Sequence, residues 1–191
     1  MFSKKYFIQF LLFFIYLFLI FSATAQETRP KRQPSATRNI QDLYHYIKEK
    51  VKKNQYYENS IVLNQNKFEW NDAQKKQIKQ SSHYSYMGDT PTLRMCKVVE
   101  IKNKISYETE YLYDNDGKII LIFETQNDYE AVNYRELKFF FEKEKCINIM
   151  VNKEILPADN QEYSSKMKKM QEEATRLKQY FLTEMNEYQN E

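Results

Sequence analysis

Five β-rich segments in the second half of the chain restrict the fold more than any other feature of the sequence. They span about 93–103, 105–114, 118–126, 132–142 and 145–151, and only a few residues connect each to the next. A parallel crossover needs a dozen or more residues, so neighbouring segments of this kind pair in the antiparallel sense. The sequence therefore predicts an antiparallel β-meander, to which shorter β-like segments within 56–70 and 77–87 add.

Helical periodicity flanks the meander on both sides. Apolar residues recur three and four apart within 39–53, which predicts an amphipathic helix with Asn39 as its N-cap. The same period over 161–188 predicts a long C-terminal amphipathic helix, which we expect to pack on the sheet, with a coiled-coil partner as the alternative. The expected fold class is α+β: an N-terminal helix, a meander of about five to seven strands and the long helix packed on the sheet.

The N-terminus has the three-part pattern of an export signal. Two lysines precede an unbroken apolar run, Phe10–Phe21, and the small residues at 22–25 follow it. This order predicts a signal peptide cleaved between Ala25 and Gln26, with an uncleaved membrane anchor as the alternative. We expect a signal peptide over 1–25, a flexible leader over 26–37 and a single α+β domain over 38–191, located in the periplasm or secreted, with no stable membrane anchor after cleavage.

Charge and glycine content exclude several classes of function. Removing the two lysines of the signal peptide lowers the formal net charge from +3 to +1, which gives no support to nucleic-acid binding. Glycine occurs only at Gly88 and Gly117, whereas loops that bind phosphate through backbone amides need several glycines. We therefore expect no nucleotide cofactor, and no other cofactor is indicated.

The two cysteines, Cys96 and Cys146, lie in different predicted strands. Export would place them in an oxidising compartment, where a disulfide between them would close a loop of about 50 residues and contribute on the order of 4 kcal/mol. The bridge requires the two strands to be close neighbours. Two buried free thiols are the alternative, because cysteine also packs well as a small apolar residue.

The turn Asn115-Asp116-Gly117 predicts a hairpin whose three-residue loop is closed by Asp114 and Lys118. This closure predicts an apolar face with the cross-strand pairs Tyr113–Ile119, Tyr111–Leu121 and Thr109–Phe123. The opposite face is mixed and carries Glu108, Glu110 and Glu124. We expect the mixed face to be a solvated surface, and paired carboxylates for glycoside cleavage are the alternative.

Aromatic and aliphatic side chains on the apolar face have two interpretations. They are the core beneath a helix, or they line a pocket for an apolar ligand between sheet and helix. The residues predicted to line such a pocket are Tyr111, Leu121, Phe123 and Phe139.

No motif in the chain indicates a catalytic or metal site. His45 and His83 are the only histidines, no serine lies in a nucleophile elbow, and the paired ligand spacing of zinc sites is missing. The run 114–117 resembles the opening of a calcium loop, but a strand follows it where further ligands would be needed, so it predicts hairpin turn chemistry. We expect no catalytic residues, no metal and no enzyme activity.

The segment 109–118, followed by the aromatic strand 135–141, is similar to small exported proteins of unknown function from Bacteroidetes-like bacteria with AT-rich genomes. Their signal peptides often end in Ala-Gln, as this one does at Ala25-Gln26. The resemblance covers roughly 93–151 and implies export, and it transfers no activity or site residue.

Together these features predict a non-enzymatic, periplasmic or secreted binding or interaction module. Its partner is an unknown protein or an apolar ligand. The alternatives are a carrier of an apolar ligand held between sheet and helix, and an exported hydrolase in which a histidine joins a nucleophile and an acid.

Overall fold

The structure is a computed structural model that describes residues 35–63, 79–87, 91–102, 105–128 and 133–189. These residues belong to one compact unit, Pro34–Glu191. The predicted signal peptide and residues 26–34 of the predicted leader lie outside the described residues. In chain order the elements are α1 (Ser35–Lys52), β1 (Tyr57–Leu63), β2 (Lys79–Met87), β3 (Thr92–Lys102), β4 (Ile105–Tyr113), β5 (Ile119–Asp128), β6 (Asn133–Glu142), β7 (Lys145–Val151), β8 (Glu154–Leu156) and α2 (Gln161–Gln189).

The eight strands form one antiparallel sheet in which each strand pairs with its neighbours in sequence, from β1 at one edge to β8 at the other. The predicted α+β fold and its meander are confirmed. The sheet has eight strands, one more than the upper end of the predicted range of about five to seven. The additional strand is β8, whose three residues are too few to show a period in the sequence. Neither described helix is long and apolar enough to cross a membrane.

The two helices cover opposite faces of the sheet, so the molecule has two apolar clusters where we expected one core and a partly wet face. Strand residues alternate between the clusters, as the two-residue period of a strand requires. Tyr111 and Tyr113 face α2, whereas Leu112 between them faces α1. The α2 cluster also contains Phe139, Phe141, Ile149, Leu177 and Phe181, and the α1 cluster contains Ile47, Leu121, Phe140 and Met150.

Helix α1 begins four residues before the predicted N-cap, so Asn39 is not a cap and the end of the predicted leader is helical. Thr37, in this early part of the helix, is fully buried, and its hydroxyl accepts a hydrogen bond from the Asn148 amide at 3.2 Å. This contact is made across 111 residues and leaves no local pattern. The helix ends at Lys52, one residue before the end of the predicted range 39–53, and Asn54 follows it with φ of 53° in the left-handed region that Asn tolerates.

The β4–β5 hairpin has the predicted loop but a different register. Asp114 and Lys118 close the loop, Gly117 has φ of 70°, and Tyr113 pairs with Ile119 as predicted. Ile120 is then an extra residue, a β-bulge that shifts all later pairs by one. The predicted pairs Tyr111–Leu121 and Thr109–Phe123 are therefore wrong, and the observed pairs are Tyr111–Ile122, Leu112–Leu121, Glu110–Phe123 and Thr109–Glu124.

The possible disulfide between Cys96 and Cys146 is not formed, and the alternative of two free thiols is the one observed. Cys96 lies in β3 and Cys146 in β7, and both are free. Because the strands follow one another in order, β4, β5 and β6 separate the two. Four strand spacings of about 4.8 Å place them roughly 19 Å apart, far beyond the Cα separation of about 7 Å that a disulfide tolerates.

Candidate functional site

A cleft opens between the sheet and the first half of α2, with a volume of about 570 Å³. We call it the α2 cleft. Its volume lies within the range of small-molecule binding sites. Five of its ten described lining residues are charged, so it is a polar cleft and not an apolar pocket. The lining residues are Val98, Glu100, Tyr107, Thr109, Tyr111, Glu124, Lys169, Met170, Glu173 and Arg176.

Strand β4 forms the floor of the α2 cleft and presents three hydroxyl groups in a row. Tyr107, Thr109 and Tyr111 are two residues apart, so they point to the same face at intervals of about 6.8 Å. Within the described part of the chain, none of these hydroxyls has a hydrogen-bond partner. Tyr111 is only 3% exposed as a residue, but its unpaired hydroxyl is not fully enclosed, because Arg94 Nε is the only fully buried side-chain nitrogen or oxygen in the described chain that lacks a hydrogen bond. The row therefore presents to the cleft hydroxyls that make no hydrogen bond within the described protein.

The electrostatic surroundings keep Tyr111 protonated. Burial, and next the negative charge of Glu173, raise its pKa well above the ordinary value for tyrosine, and Glu124 and Glu100 act in the same direction. At neutral pH the phenol is therefore a hydrogen-bond donor as well as an acceptor. It is a fixed polar group at the bottom of the cleft.

The charged side chains around the α2 cleft come from both the sheet and the helix. Lys166 binds Glu124 at 2.5 Å, joining α2 to β5. Along the helix, Arg176 binds Glu173 at 2.6 Å. The rim therefore carries hydrogen-bond donors and acceptors side by side. The side chain of Asn160 caps the N-terminus of α2, because it accepts a hydrogen bond from the backbone N–H of Glu162 at 3.0 Å.

A second, smaller cleft of about 280 Å³ lies between α1 and the opposite face of the sheet. We call it the α1 cleft. Its lining residues are Tyr44, Lys48, Glu108, Glu110, Phe123, Thr125, Tyr134 and Glu136.

The polar groups of the α1 cleft bind one another. Glu110 is only 4% exposed, and its two carboxylate oxygens accept hydrogen bonds from the Tyr44 hydroxyl, at 2.5 Å, and from the Lys48 ammonium. Lys97 binds Glu108 at 2.9 Å. A buried carboxylate needs such partners, because an unpaired one would be costly to desolvate.

The far end of the α1 cleft is arranged in the same way around Glu136. Lys138 binds the Glu136 carboxylate at 2.9 Å, and the Tyr134 hydroxyl donates to it at 3.0 Å. Burial alone would raise the pKa of Glu136, but these two hydrogen bonds hold it below its ordinary value. The pKa of Tyr44 is raised, first by burial and then by the charge of Glu110. Lys138 also lies 4.3 Å from the centre of the Phe123 ring.

The four residues predicted to line an apolar pocket do not meet. Tyr111 and Phe139 lie on the α2 side of the sheet, whereas Leu121 and Phe123 lie on the α1 side. The bulge at Ile120 is the reason, because a one-residue shift exchanges the two faces of a strand. Phe139 and Leu121 are buried in separate clusters, and Tyr111 and Phe123 line separate polar clefts.

The three glutamates predicted to share a solvated face are also divided. Glu108 and Glu110 line the α1 cleft, but Glu124 lines the α2 cleft and pairs with Thr109 rather than with Glu108. Glu110 is buried and bonded, not solvated. The interpretation of the three as one carboxylate group is therefore wrong.

None of the remaining candidates for chemistry is a described lining residue of either cleft. His45 is exposed on α1, with its ring edge-on to Tyr44, and the backbone of His83 lies in β2. Burial raises the pKa of Cys96 and of Cys146, which leaves both thiols protonated at neutral pH. Among the described residues, no group of three or more His, Cys, Asp or Glu side chains is arranged to hold a metal ion.

Comparison of the chain with protein-family models, with curated proteins and with solved structures finds no match. The geometry of the two clefts is therefore the basis for inferring function.

The sequence indicated Tyr111 as a lining residue of an apolar pocket, whereas the structure places it in a polar cleft. The alternation of Tyr107, Thr109 and Tyr111 along β4 was a visible signal, since three hydroxyl-bearing residues on one strand face carry more polar atoms than an apolar core needs. The residues of α2 that complete the cleft include Lys169 and Glu173. In the sequence these residues indicated only the solvated side of an amphipathic helix.

Proposed function

We propose that the chain is an exported, non-enzymatic binding module that holds a small polar ligand in the α2 cleft. The observation that carries the proposal is the row of three hydroxyls on β4, which line the α2 cleft and have no hydrogen-bond partner among the described residues. Hydroxyls that open to a cleft in this way can both donate to and accept from a bound ligand. The pattern of residues 1–25 supports export.

The nature of the cleft favours binding over catalysis. Tyr111 and Cys96 are the buried groups in this region that a nucleophilic mechanism would have to ionise, and the pKa of each is raised by burial. Glu124 of β5 and Glu173 of α2, which line the cleft and raise the pKa of Tyr111, bind Lys166 and Arg176 respectively. The polar lining also favours a polar ligand over the apolar ligand that a carrier would hold.

A crystallographic fragment screen with a chemically diverse set of polar fragments tests this proposal without assuming a ligand. We expect fragments to gather in the α2 cleft, with polar atoms at hydrogen-bond distance from the Tyr111 and Thr109 hydroxyls. The variant Tyr111→Phe should lose these fragments. Tyr113→Phe is the matched control, because its hydroxyl lies on the same strand and the same side of the sheet but donates to the Ala174 carbonyl at 2.7 Å.

The proposal fails if the fragments leave the α2 cleft empty. It also fails if they occupy the cleft equally well in Tyr111→Phe and in the wild-type chain, because the hydroxyl row would then play no part in recognition.

A further inference from the structure

The backbone beneath the α2 cleft is closed to a ligand. Its three floor strands, β3, β4 and β5, each pair with a neighbouring strand on both sides. A peptide that binds by adding a strand needs a free sheet edge, which these central strands lack. Recognition here therefore uses side chains alone, and it favours a ligand whose own surface is dense in hydrogen-bonding groups.

Among the described residues, the charges in and around the cleft are balanced. The three carboxylates are those of Glu100, Glu124 and Glu173. The three cations are Lys169 and Arg176, which line the cleft, and Lys166, which binds Glu124. A strongly charged ligand would meet equal attraction and repulsion, whereas a neutral ligand with many hydroxyls both donates to the carboxylates and accepts from the cations.

The lining also includes apolar surface between these polar groups. Val98 and Met170 lie on opposite walls, one on the sheet and one on the helix, and Tyr107 adds a partly exposed ring. A sugar ring matches this mixture, because its C–H groups contact apolar and aromatic surface while its hydroxyls point to the polar groups around them.

We infer that the ligand of the α2 cleft is a neutral carbohydrate, recognised by the hydroxyl row of β4 and by the balanced charges of β3, β5 and α2. This inference rests on the proposed binding function of the same cleft. The row of Tyr107, Thr109 and Tyr111 runs along the strand, so it suits a short oligosaccharide lying parallel to β4.

The test is ligand-observed saturation-transfer NMR followed by titration, with a broad panel of neutral oligosaccharides that includes maltotriose, cellotriose and chitotriose. An end-blocked alanine tripeptide and trigalacturonic acid represent neutral peptides and charged sugars. We expect at least one neutral oligosaccharide to bind, and neither of the other two probes. Loss of one neutral hydrogen bond should raise the Kd about three- to ten-fold in Tyr111→Phe and again in Thr109→Val.

Matched controls separate recognition from folding. Tyr113→Phe should lower stability but leave the Kd for the saccharide unchanged, because the Tyr113 hydroxyl is bonded to Ala174 within the protein. Tyr134→Phe alters the α1 cleft in the same way and should also leave the Kd unchanged.

The remaining outcomes overturn the inference. If the tripeptide or trigalacturonic acid binds and Tyr111→Phe weakens it, the ligand class is wrong while the binding function stands. If fragments occupy the cleft but no neutral saccharide of the panel binds, the ligand class is again wrong. A saccharide whose Kd is insensitive to Tyr111→Phe and Thr109→Val does not use this cleft. If neither saccharides nor fragments enter the cleft, the proposed function fails as well.

Discussion

The two faces of the sheet have the same architecture, but they differ in whether their polar groups are hydrogen-bonded within the protein. Each face has an apolar cluster under a helix and a polar cleft beside it. In the α1 cleft the buried carboxylate of Glu110 has two partners from α1. In the α2 cleft the hydroxyl of Tyr111, which opens to the cleft, has none among the described residues. Polar groups that satisfy one another stabilise a fold, whereas those left unsatisfied are available to a ligand.

The largest expected effect tests whether the two faces contribute alike to stability. Phe139 and Phe140 are adjacent, fully buried and on opposite faces. Truncation of either to alanine should cost about 3–5 kcal/mol, because each leaves a large cavity in a separate cluster. Urea unfolding measures both. A cost below about 1 kcal/mol for one of them would mean that its cluster is not a core, and the symmetry of the two faces would be lost.

The next effect tests the pairing in the α1 cleft. Tyr44→Phe removes a hydrogen bond to the carboxylate of Glu110, so the free energy of unfolding should fall by about 1.5–3 kcal/mol. Tyr46→Phe is the matched control, since Tyr46 is exposed on the same helix, and it should change stability by less than about 0.5 kcal/mol. Equal effects of the two variants would contradict a stabilising role for the Glu110 network.

A smaller effect is expected from pH. The hydrogen bonds from Lys138 and Tyr134 lower the pKa of Glu136 in the folded state below 4.5, its unperturbed value. The stabilisation is therefore fully present above that pH and is lost as the pH falls through the folded-state pKa. Between pH 5 and pH 3 the wild-type chain should lose more stability in urea unfolding than Glu136→Gln does. Parallel pH profiles for the two chains would show that Glu136 contributes nothing.

The smallest expected effect is the sharpest contrast between the faces. Tyr111→Phe removes a hydroxyl that makes no hydrogen bond within the described chain, so stability in the absence of ligand should change by less than about 0.5 kcal/mol or increase slightly. Thermal unfolding of Tyr111→Phe, measured in parallel with that of Tyr44→Phe, tests this expectation. A loss comparable to that of Tyr44→Phe would reveal a structural role for the hydroxyl and remove the distinction between the clefts.

Most of the fold could be predicted from local patterns in the sequence. Short connections predict the meander, and the observed bounds of β3 to β7 differ from the expected ones by a residue or two. The turn at Gly117 was also predictable, because few residues other than glycine adopt its positive φ readily. The same turn is fixed from outside by Lys178 of α2, whose ammonium donates to the Gly117 carbonyl at 2.7 Å.

The sites were predicted less well, because each depends on contacts distant in sequence. A single bulged residue, Ile120, reversed the faces of everything after it in β5 and so separated Leu121 and Phe123 from Tyr111. The partners of Glu110 come from a helix more than 60 residues earlier. No spacing in the sequence records such a bulge or such a helix placement, since both are set by packing.

The order of strands in the sheet has a consequence for how the protein is made. Because each strand pairs with the one synthesised just before it, the sheet can assemble progressively as the chain emerges, without waiting for distant segments to arrive. Helix α2 is the last described element and forms one wall of the α2 cleft. The proposed binding of a ligand in this cleft therefore requires α2 in addition to the complete sheet, so a chain truncated before Gln161 would have the strands without the cleft.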